Sequence, residues 1–470
     1  MKILRVNMCQ LSTRLENLPP DWSIIGGRAL TARILTCEVD PKSDPLGQKA
    51  KLVIACGPLA GTAAPSCGRL SIGAKSPLTL GIKESNTGGS VAHSLDRLGI
   101  RVIIVVENGG HSSVKIIDKT SFAAAAKSLT DLIKADSEIR EKQRYGTSSL
   151  VSLLSHLGSM PVRNYSGGKL EDVENLSGEA IEKLNKQRGG RMNSCMHGCP
   201  VHCSIVFKNK KGKQITSGLE YETIAMMGSN LGIVDPDIVA RFDYLCDNIG
   251  VDSIEIGSAL GIAAEHGKMQ MGDAKSVERL LTEIEKATDF GSILGNGVVE
   301  TGNALGARHI PAYRGQALPA HDPRVTKGTR VSYLTSPMGA DHTAGLSYEE
   351  PAGEKKLLLQ SLQSQLLSAI WDAMGYCLLA VPNNKTSLLN LMCKLLNARY
   401  GLDLSLDDLL SVGKEVLKGE LAFNRDSGFH STKESGSDFF APEETETQNT
   451  VSAEETSKLW DDLDAFQLEL

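Results

Sequence analysis

Aromatic side chains are scarce. Phe, Trp and Tyr together make up 4% of the 470 residues. The core must therefore lean on Leu, Ile, Val and Ala, within an apolar share of 41%. No run approaches the about 18 consecutive apolar residues of a membrane span, so no membrane partner is expected. The opening M-K-I-L-R-V-N-M-C-Q-L-S-T-R-L interrupts its apolar residues with Lys2, Arg5 and Asn7. That removes the core of a secretory signal and leaves the pattern of a β-strand followed by a turn. There is no block of five or six like charges, and the net charge is −6. Neither feature points to a nucleic-acid or polyanion partner. These absences place the chain in the cytoplasm, where its ten cysteines are expected to be reduced unless they bind metal.

At about 100–200 residues per domain, the length admits two to four domains. Residues 1–118 read as β-rich. K-L-V-I-A-C (51–56) and R-V-I-I-V-V (101–106) are short apolar, β-branched runs bounded by Gly and Pro. Gly-bearing loops lie around them at 25–28, 57–69 and 85–90. From about residue 119 the spacing is helical, over 122–133, 220–231, 237–249, 274–287, 355–380 and 386–398. The predicted class is α+β: a β-rich N-terminal domain (1–118) followed by two mainly helical domains (119–252 and 253–470). Residues 424–459 are polar and acidic and read as a surface arm.

Cys195, Cys199 and Cys203 fall within N-S-C-M-H-G-C-P-V-H-C (193–203). The other six cysteines outside any motif, Cys9, Cys37, Cys56, Cys67, Cys246 and Cys393, read as small buried hydrophobes. An internal echo supplies the tenth. D-N-I-G-V-D (247–252) and D-A-M-G-Y-C (372–377) share the form D-x-x-G-[VY]-[DC], and each follows an apolar helical stretch. A Gly closing a helix is common, but two matching copies suggest one ligand type held twice. The cysteine group admits a structural zinc site, with His197 or His202 as fourth ligand, although no second C-x-x-C is present. It also admits a [4Fe–4S] cluster with three close thiolates and one remote one, for which Cys377 is the candidate.

Further stretches extend the pattern: I-G-G-R-A-L (25–30), G-P-L-A-G-T (57–62), S-N-T-G-G (85–89), G-L-E-Y-E-T (218–223), N-L-G-I (230–233), M-G-A-D-H-T-A-G (338–345) and A-F-N-R (422–425). Together with the cysteines and both D-x-x-G motifs, in this order, they resemble the aldehyde:ferredoxin oxidoreductases along nearly the whole chain. The resemblance implies a β-rich pterin platform, a tungsten (or molybdenum) ion held by two pterins, and a [4Fe–4S] cluster beside them. It implies Cys195, Cys199, Cys203 and Cys377 as cluster ligands. It places Asp247 and Asp252 on one pterin and Asp372 on the other. A carboxylate suits that task because its two oxygens accept the paired N–H donors of a pterin edge. Asn86 matches the residue that helps hold a magnesium ion bridging the pterin phosphates, and Arg69 an arginine between pterin and cluster. Glu222 and His342 match the proton-handling pair. From chemistry alone Glu220 is an equal candidate to Glu222, and Asp341 is placed to fix the His342 tautomer. The implied reaction oxidises an aldehyde to a carboxylate and passes electrons to ferredoxin or another iron–sulfur protein. A homo-oligomer is admitted.

Two departures stand out. Family members carry about sixty more residues after the strand matching 101–106, within the usual range of domain sizes, including a second Gly-rich loop. Here 107–119 joins the two sides directly. The cysteine spacing is x3–x3 where x2–x3 is common. Phosphate anchoring is therefore the part of the site that the sequence leaves short. The rival expectation is a degenerate relative that keeps the cluster and serves as an electron-transfer or interaction subunit.

Overall fold

The architecture was determined from a computed structural model. The structure describes residues 1–8, 10–47, 49–105, 116–347 and 354–428, together with 459, 460, 463 and 466. Cys9, most of the 107–119 joining segment and most of the 424–459 arm lie outside the described residues. Asn424–Ser427, expected to begin that arm, instead close the helix Leu406–Ser427. There the Asn424 side chain is buried and accepts the Ile82 amide at 2.7 Å.

Six strands form the N-terminal sheet: β1 (Lys2–Asn7), β2 (Ser12–Asn17), β3 (Leu52–Cys56), β4 (Leu70–Lys75), β5 (Ile82–Thr87) and β6 (Ile100–Val105). Their order is β2-β1-β6-β3-β4-β5. β1 and β6 run parallel, and the other neighbours antiparallel. The apolar runs bury both faces, as alternation in a strand dictates. Val53, Ala55, Val102 and Ile104 face one core with Leu30, Ile34 and Leu35. Cys56, with the partly buried Ile54 and Ile103, faces another with Ala92 and Leu95. The first of these partners belongs to the helix Gly27–Glu38, which begins inside a segment expected to be a loop. Its start is set by Gly27, whose φ of 47° suits glycine; a Cβ there would meet the Asp372 carbonyl at 1.9 Å.

The helical remainder is built around two cores. One gathers apolar residues from Val151 to Ala340, and it runs across position 252 without a break. The other joins the helices Lys119–Ala135, Glu354–Met374, Lys385–Tyr400 and Leu406–Ser427 to the back of the sheet domain through Ala29 and Ala32. Within the helical region a small antiparallel sheet, Arg191–Asn193, Ser204–Lys208 and Gln214–Ser217, was not anticipated. The expected helical stretch 220–231 is a short helix, Tyr221–Met226, followed by a single turn. The stretch 355–380 stops as a helix at Met374, before the second D-x-x-G glycine. Among the described residues no helix is long and apolar enough to cross a membrane.

Candidate functional site

The small sheet explains the cysteine spacing. Arg191–Asn193 and Ser204–Lys208 pair antiparallel, so residues 194–203 are the loop of a hairpin that carries all three cysteines. Gly198 and His202 take positive φ, 79° and 52°, where the loop reverses. The remote cysteine arrives from the far end of the chain. Gly375 ends the helix Glu354–Met374 with φ 65°, and a Cβ there would meet the Gly57 Cα at 2.8 Å. This backbone-to-backbone approach seats the second D-x-x-G motif on the loop after β3. The Arg69 amide donates to the Gly375 carbonyl (3.1 Å), and the Cys377 amide to the Ser66 carbonyl (3.0 Å). The Ser66 hydroxyl lies 3.3 Å from Cys199 Sγ, and Arg69 Nη1 lies 3.6 Å from Cys377 Sγ. Cys195 Sγ rests against Gly88, where a Cβ would meet it at 2.6 Å. Cys195 is exposed, while Cys199, Cys203 and Cys377 are buried.

The three hairpin thiols all feel the charge of Cys377. Burial, with the charge of Cys377 next, pushes the Cys195 thiol up to about 11. The same two causes push Cys203 further up, and burial raises Cys199. Such a group suits a cationic guest that takes the thiols as thiolates. Among the described residues no three His, Cys, Asp or Glu side chains converge as ligands of one metal ion. A tetrahedral zinc draws its ligands to within about 2.3 Å of one point. In a cubane each thiolate takes a different iron, so the ligands stand further apart. Four thiols from two distant segments are a donor set that a cubane, with one thiolate per iron, can accept. An open cavity of about 1000 Å³ lies over the hairpin loop, lined by Cys195, Cys199, His197, His202 and Lys134.

Arg69 joins the cysteines to the sheet. Its Nε donates to Asn86 Oδ1, and its Nη2 to the Asn86 carbonyl at 2.7 Å. Asn86 sits on β5 opposite Ser71 of β4, and its Nδ2 reaches Ser71 Oγ (3.3 Å) and Asp372 Oδ1 (3.4 Å). Asp372, in the helix before Cys377, is buried beside Arg28 (3.5 Å). Burial raises its carboxyl to about 6 against the pull of Arg28 and Arg69. Arg28 is itself clamped by Glu420 at 2.9 and 2.7 Å. Neighbouring Glu84 is raised to about 8, by burial first and the Asp372 charge next. Asp372, Asn86, Arg69 and Cys377 therefore form one bonded chain. Asp247 and Asp252 stand apart from it and are exposed. Asp252 caps the helix Ser253–Glu265, accepting from Ile254 N (2.6 Å) and Glu255 N (3.3 Å). Asp247 lies in the last turn of the helix Pro236–Ile249, which Gly250 closes at φ 81°.

The E-Y-E segment, on which chemistry alone was neutral, divides by position. Glu220 accepts from Thr147 Oγ1 at 2.5 Å. Its carboxyl is raised by burial, and its charge is felt at Cys195 and Cys203. Glu222 faces the histidines. Its Oε2 accepts the Ala320 amide (2.7 Å), and its Oε1 lies 2.9 Å from His321 Nε2. The His321 ring stacks on His342 with centroids 6.2 Å apart and planes at 27°. Burial would raise the Glu222 carboxyl, but His342, His321 and the Ala320 amide together hold it down at about 2. Asp341, which could have fixed the His342 tautomer, has other partners. Its carboxylate is taken by Lys83 and by the Thr343 amide and hydroxyl (2.8 and 2.7 Å), because the turn at Gly339–Thr343 directs it back toward β5. His321 was missed by sequence reasoning. It lies in P-A-H-D-P (319–323), and nothing local marks that histidine as the partner of a glutamate 99 positions earlier.

Comparison with known proteins finds matches in both halves of the chain. The model of the aldehyde ferredoxin oxidoreductase N-terminal domain matches residues 3–152, and that of domains 2 and 3 of the same proteins matches residues 124–464. A tungsten-containing aldehyde ferredoxin oxidoreductase of Thermococcus kodakarensis is 28% identical over 555 aligned positions, covering 92% of this chain and 90% of the relative. That alignment is longer than the chain's 470 residues, so the relative carries internal segments with no counterpart here. A protein of the same description from Pyrococcus abyssi is 25% identical over 92% of this chain and 90% of its own length. Among solved structures, the BamBC active-site complex of benzoyl coenzyme A reductase superposes with a TM-score of 0.78. It covers 99% of this chain and 93% of the other at 15% identity, a likeness of fold. With family models spanning residues 3–464 and a matching fold, the chain belongs to the aldehyde ferredoxin oxidoreductase family.

Proposed function

We propose that the chain is a tungsten–pterin oxidoreductase that converts an aldehyde to a carboxylate and passes the electrons to ferredoxin or a similar iron–sulfur protein. The observation that carries this reading is the Arg69 guanidinium, bonded at once to Asn86 and to Cys377. Cys195, Cys199, Cys203 and Cys377 would hold a [4Fe–4S] cluster, and Asp372, Asp247 and Asp252 the pterin edges. Asn86 would stand at the magnesium between the pterin phosphates. When bound, the tungsten centre supplies a two-electron acceptor, and the cluster a route outward one electron at a time.

The chain's own residues handle the protons. Glu222 stays ionised through the neutral range and holds the His321 ring by its Nε2. His321 in turn presents a flat face to His342, which takes the proton released when a hydrated carbonyl becomes a carboxylate. Glu222 thus acts as a positioning residue, and His342 as the proton carrier. Glu220, the residue just before the same short helix, is bonded to Thr147 instead, and its charge is felt on the cysteine side.

A second reading follows from the length of the alignment with the Thermococcus relative. The internal shortfall falls on a chain whose phosphate-anchoring loop the sequence could not find. In that case the cluster remains and the protein serves as an electron-transfer or interaction subunit. Metal analysis of the anaerobically purified chain, paired with aldehyde-dependent viologen reduction, separates the two. Tungsten with iron and dye reduction is the expected result. Iron without tungsten would favour the second reading, and zinc alone would overturn both.

A further inference from the structure

Arg163, Asn164 and Tyr165 hold φ angles of 44°, 56° and 57°. A left-handed backbone is routine for glycine and is otherwise visited by single residues. Among the described residues, every other non-glycine position with positive φ stands alone. Three in a row need fixed partners, and such outliers gather at functional sites. The partners are present. The Arg163 and Asn164 amides donate to the Ser229 and Asn230 carbonyls at 3.1 and 2.9 Å. The Tyr165 carbonyl accepts from Arg324 Nη2 at 2.5 Å. What the turn delivers is the Tyr165 side chain, buried in the core that also holds Tyr221, Leu318 and Ala320. Its hydroxyl lies 2.8 Å from the Leu318 carbonyl and 2.7 Å from that of Pro319.

These carbonyls lead straight into His321. The Pro319 carbonyl also accepts the His321 amide at 2.6 Å. The next carbonyl, that of Ala320, accepts the Tyr221 hydroxyl at 2.7 Å, and the Ala320 amide goes to Glu222. Just beyond, the Asp322 amide donates to the Ser159 carbonyl at 2.8 Å. The backbone that carries His321 is thus fixed residue by residue from 318 to 322. A ring whose Nε2 stays 2.9 Å from Glu222 while its face meets His342 needs such a base, since a hydrogen bond weakens steeply with misalignment.

We propose that Tyr165 is a positioning residue: its hydroxyl fixes the 318–321 backbone and thereby seats the His321 ring against Glu222 and His342. This rests on the reading of those three residues as the proton-handling group. Tyr165→Phe keeps the ring that fills the core and takes the donor away from two buried carbonyls. The packing survives that change, while the base under His321 loosens.

The test uses full-length chains purified anaerobically: wild type, Tyr165→Phe, His321→Gln and the double variant. The first readout is independent of turnover. Diethyl pyrocarbonate acylates histidine rings, and peptide mass spectrometry gives the rate at His321, with the buried His93 as control. The expected result is several-fold faster acylation of His321 in Tyr165→Phe and no change at His93. An unchanged rate at His321, or an equal rise at His93, overturns the proposal. The second readout is aldehyde-dependent dye reduction. In Tyr165→Phe, kcat should fall by up to about 10²-fold, the cost of a misplacement away from the chemistry, with KM and metal content unchanged. In the His321→Gln background, Tyr165→Phe should cost nothing further; an additive loss overturns the proposal. A wild-type chain that reduces no dye overturns the oxidoreductase reading, and acylation then decides the seating of His321 by itself. Should Tyr165→Phe not fold, Arg324→Gln releases the Tyr165 carbonyl instead, and the acylation comparison is repeated. Faster modification of His321 then supports the proposal, and an unchanged rate overturns it.

Discussion

Glu222 is the residue on which the proton-handling reading turns. Burial opposes its charge, and two histidines restore it, so its carboxyl sits at about 2. Glu222→Gln keeps the shape and removes the charge that orients His321. Turnover should fall, by at most the about 10²–10⁴-fold that the proton transfer it positions at His342 is worth, while tungsten and iron content stay unchanged. Loss of metal in that variant would make Glu222 a structural residue. The folded carboxyl lies below its unfolded value of 4.5. Its contribution to stability is therefore present above pH 4.5 and lost as pH falls toward 2.

Glu84 shows the opposite sign. Burial and the Asp372 charge, outweighing Arg28, raise it from 4.5 to about 8. The folded chain holds a proton there that the unfolded chain releases above 4.5, so the stability it lends is complete below 4.5 and lost as pH rises toward 8. Glu84→Gln mimics the protonated acid. Its melting temperature should match wild type near pH 5 and exceed it near pH 8; a constant difference across that range would show that Glu84 does not titrate. Glu222 was legible through the family match as one of the proton-handling pair, but its contact with His321 was not. Sequence order carries the match at E-Y-E, whereas the His321 contact is made across 99 positions and leaves no local pattern.

At the level of elements, the second D-x-x-G motif works as a hinge of backbone contacts rather than as a carboxylate alone. Gly57, Gly375 and Gly27 remove three side chains where the 354–374 helix meets the sheet domain. Gly375→Ala would strain a φ of 65° and push its Cβ against Gly57. Cys377 would move with it. The expected outcome is iron per chain well below wild type, together with a lower melting temperature; full iron content in a folded variant would detach Cys377 from the cluster. The strands at 52–56 and 100–105 were legible as short β-branched apolar runs bounded by Gly and Pro, and most long helices by their 3.6-residue spacing. The cysteine hairpin was not. Its strands are three to five residues long, too short for a period to show, and thiols interrupt the apolar pattern between them. The Gly27–Glu38 helix was hidden for another reason: the paired glycines at its start read as a loop, yet Gly27 lies against the Asp372 backbone and Gly26 against that of Cys56 and Gly57.

Across the whole molecule, the candidate site is assembled from three regions: the sheet with Asn86, joined through Arg69 to Cys377 of the far C-terminal half with its Asp372, and the hairpin, whose cysteines meet Ser66 and Gly88. Those contacts explain why cluster and pterin residues could be matched in order along the sequence, since each lies in its own short motif. Phosphate anchoring differs in kind. It depends on backbone N–H donors or a cation beside the phosphates, and the internal segments of the Thermococcus relative that have no counterpart here remove backbone that sequence motifs cannot replace. Asn86 is already engaged by Arg69, Ser71 and Asp372, which limits what it can offer a magnesium ion. The cofactor should consequently be held less firmly than in the Thermococcus relative. Dialysis of both proteins against a magnesium chelator under anaerobic conditions tests this by pterin count. The expected outcome is faster loss of pterin from this chain, with iron retained on the four cysteines; two pterins per chain after prolonged dialysis would show that the remaining contacts suffice.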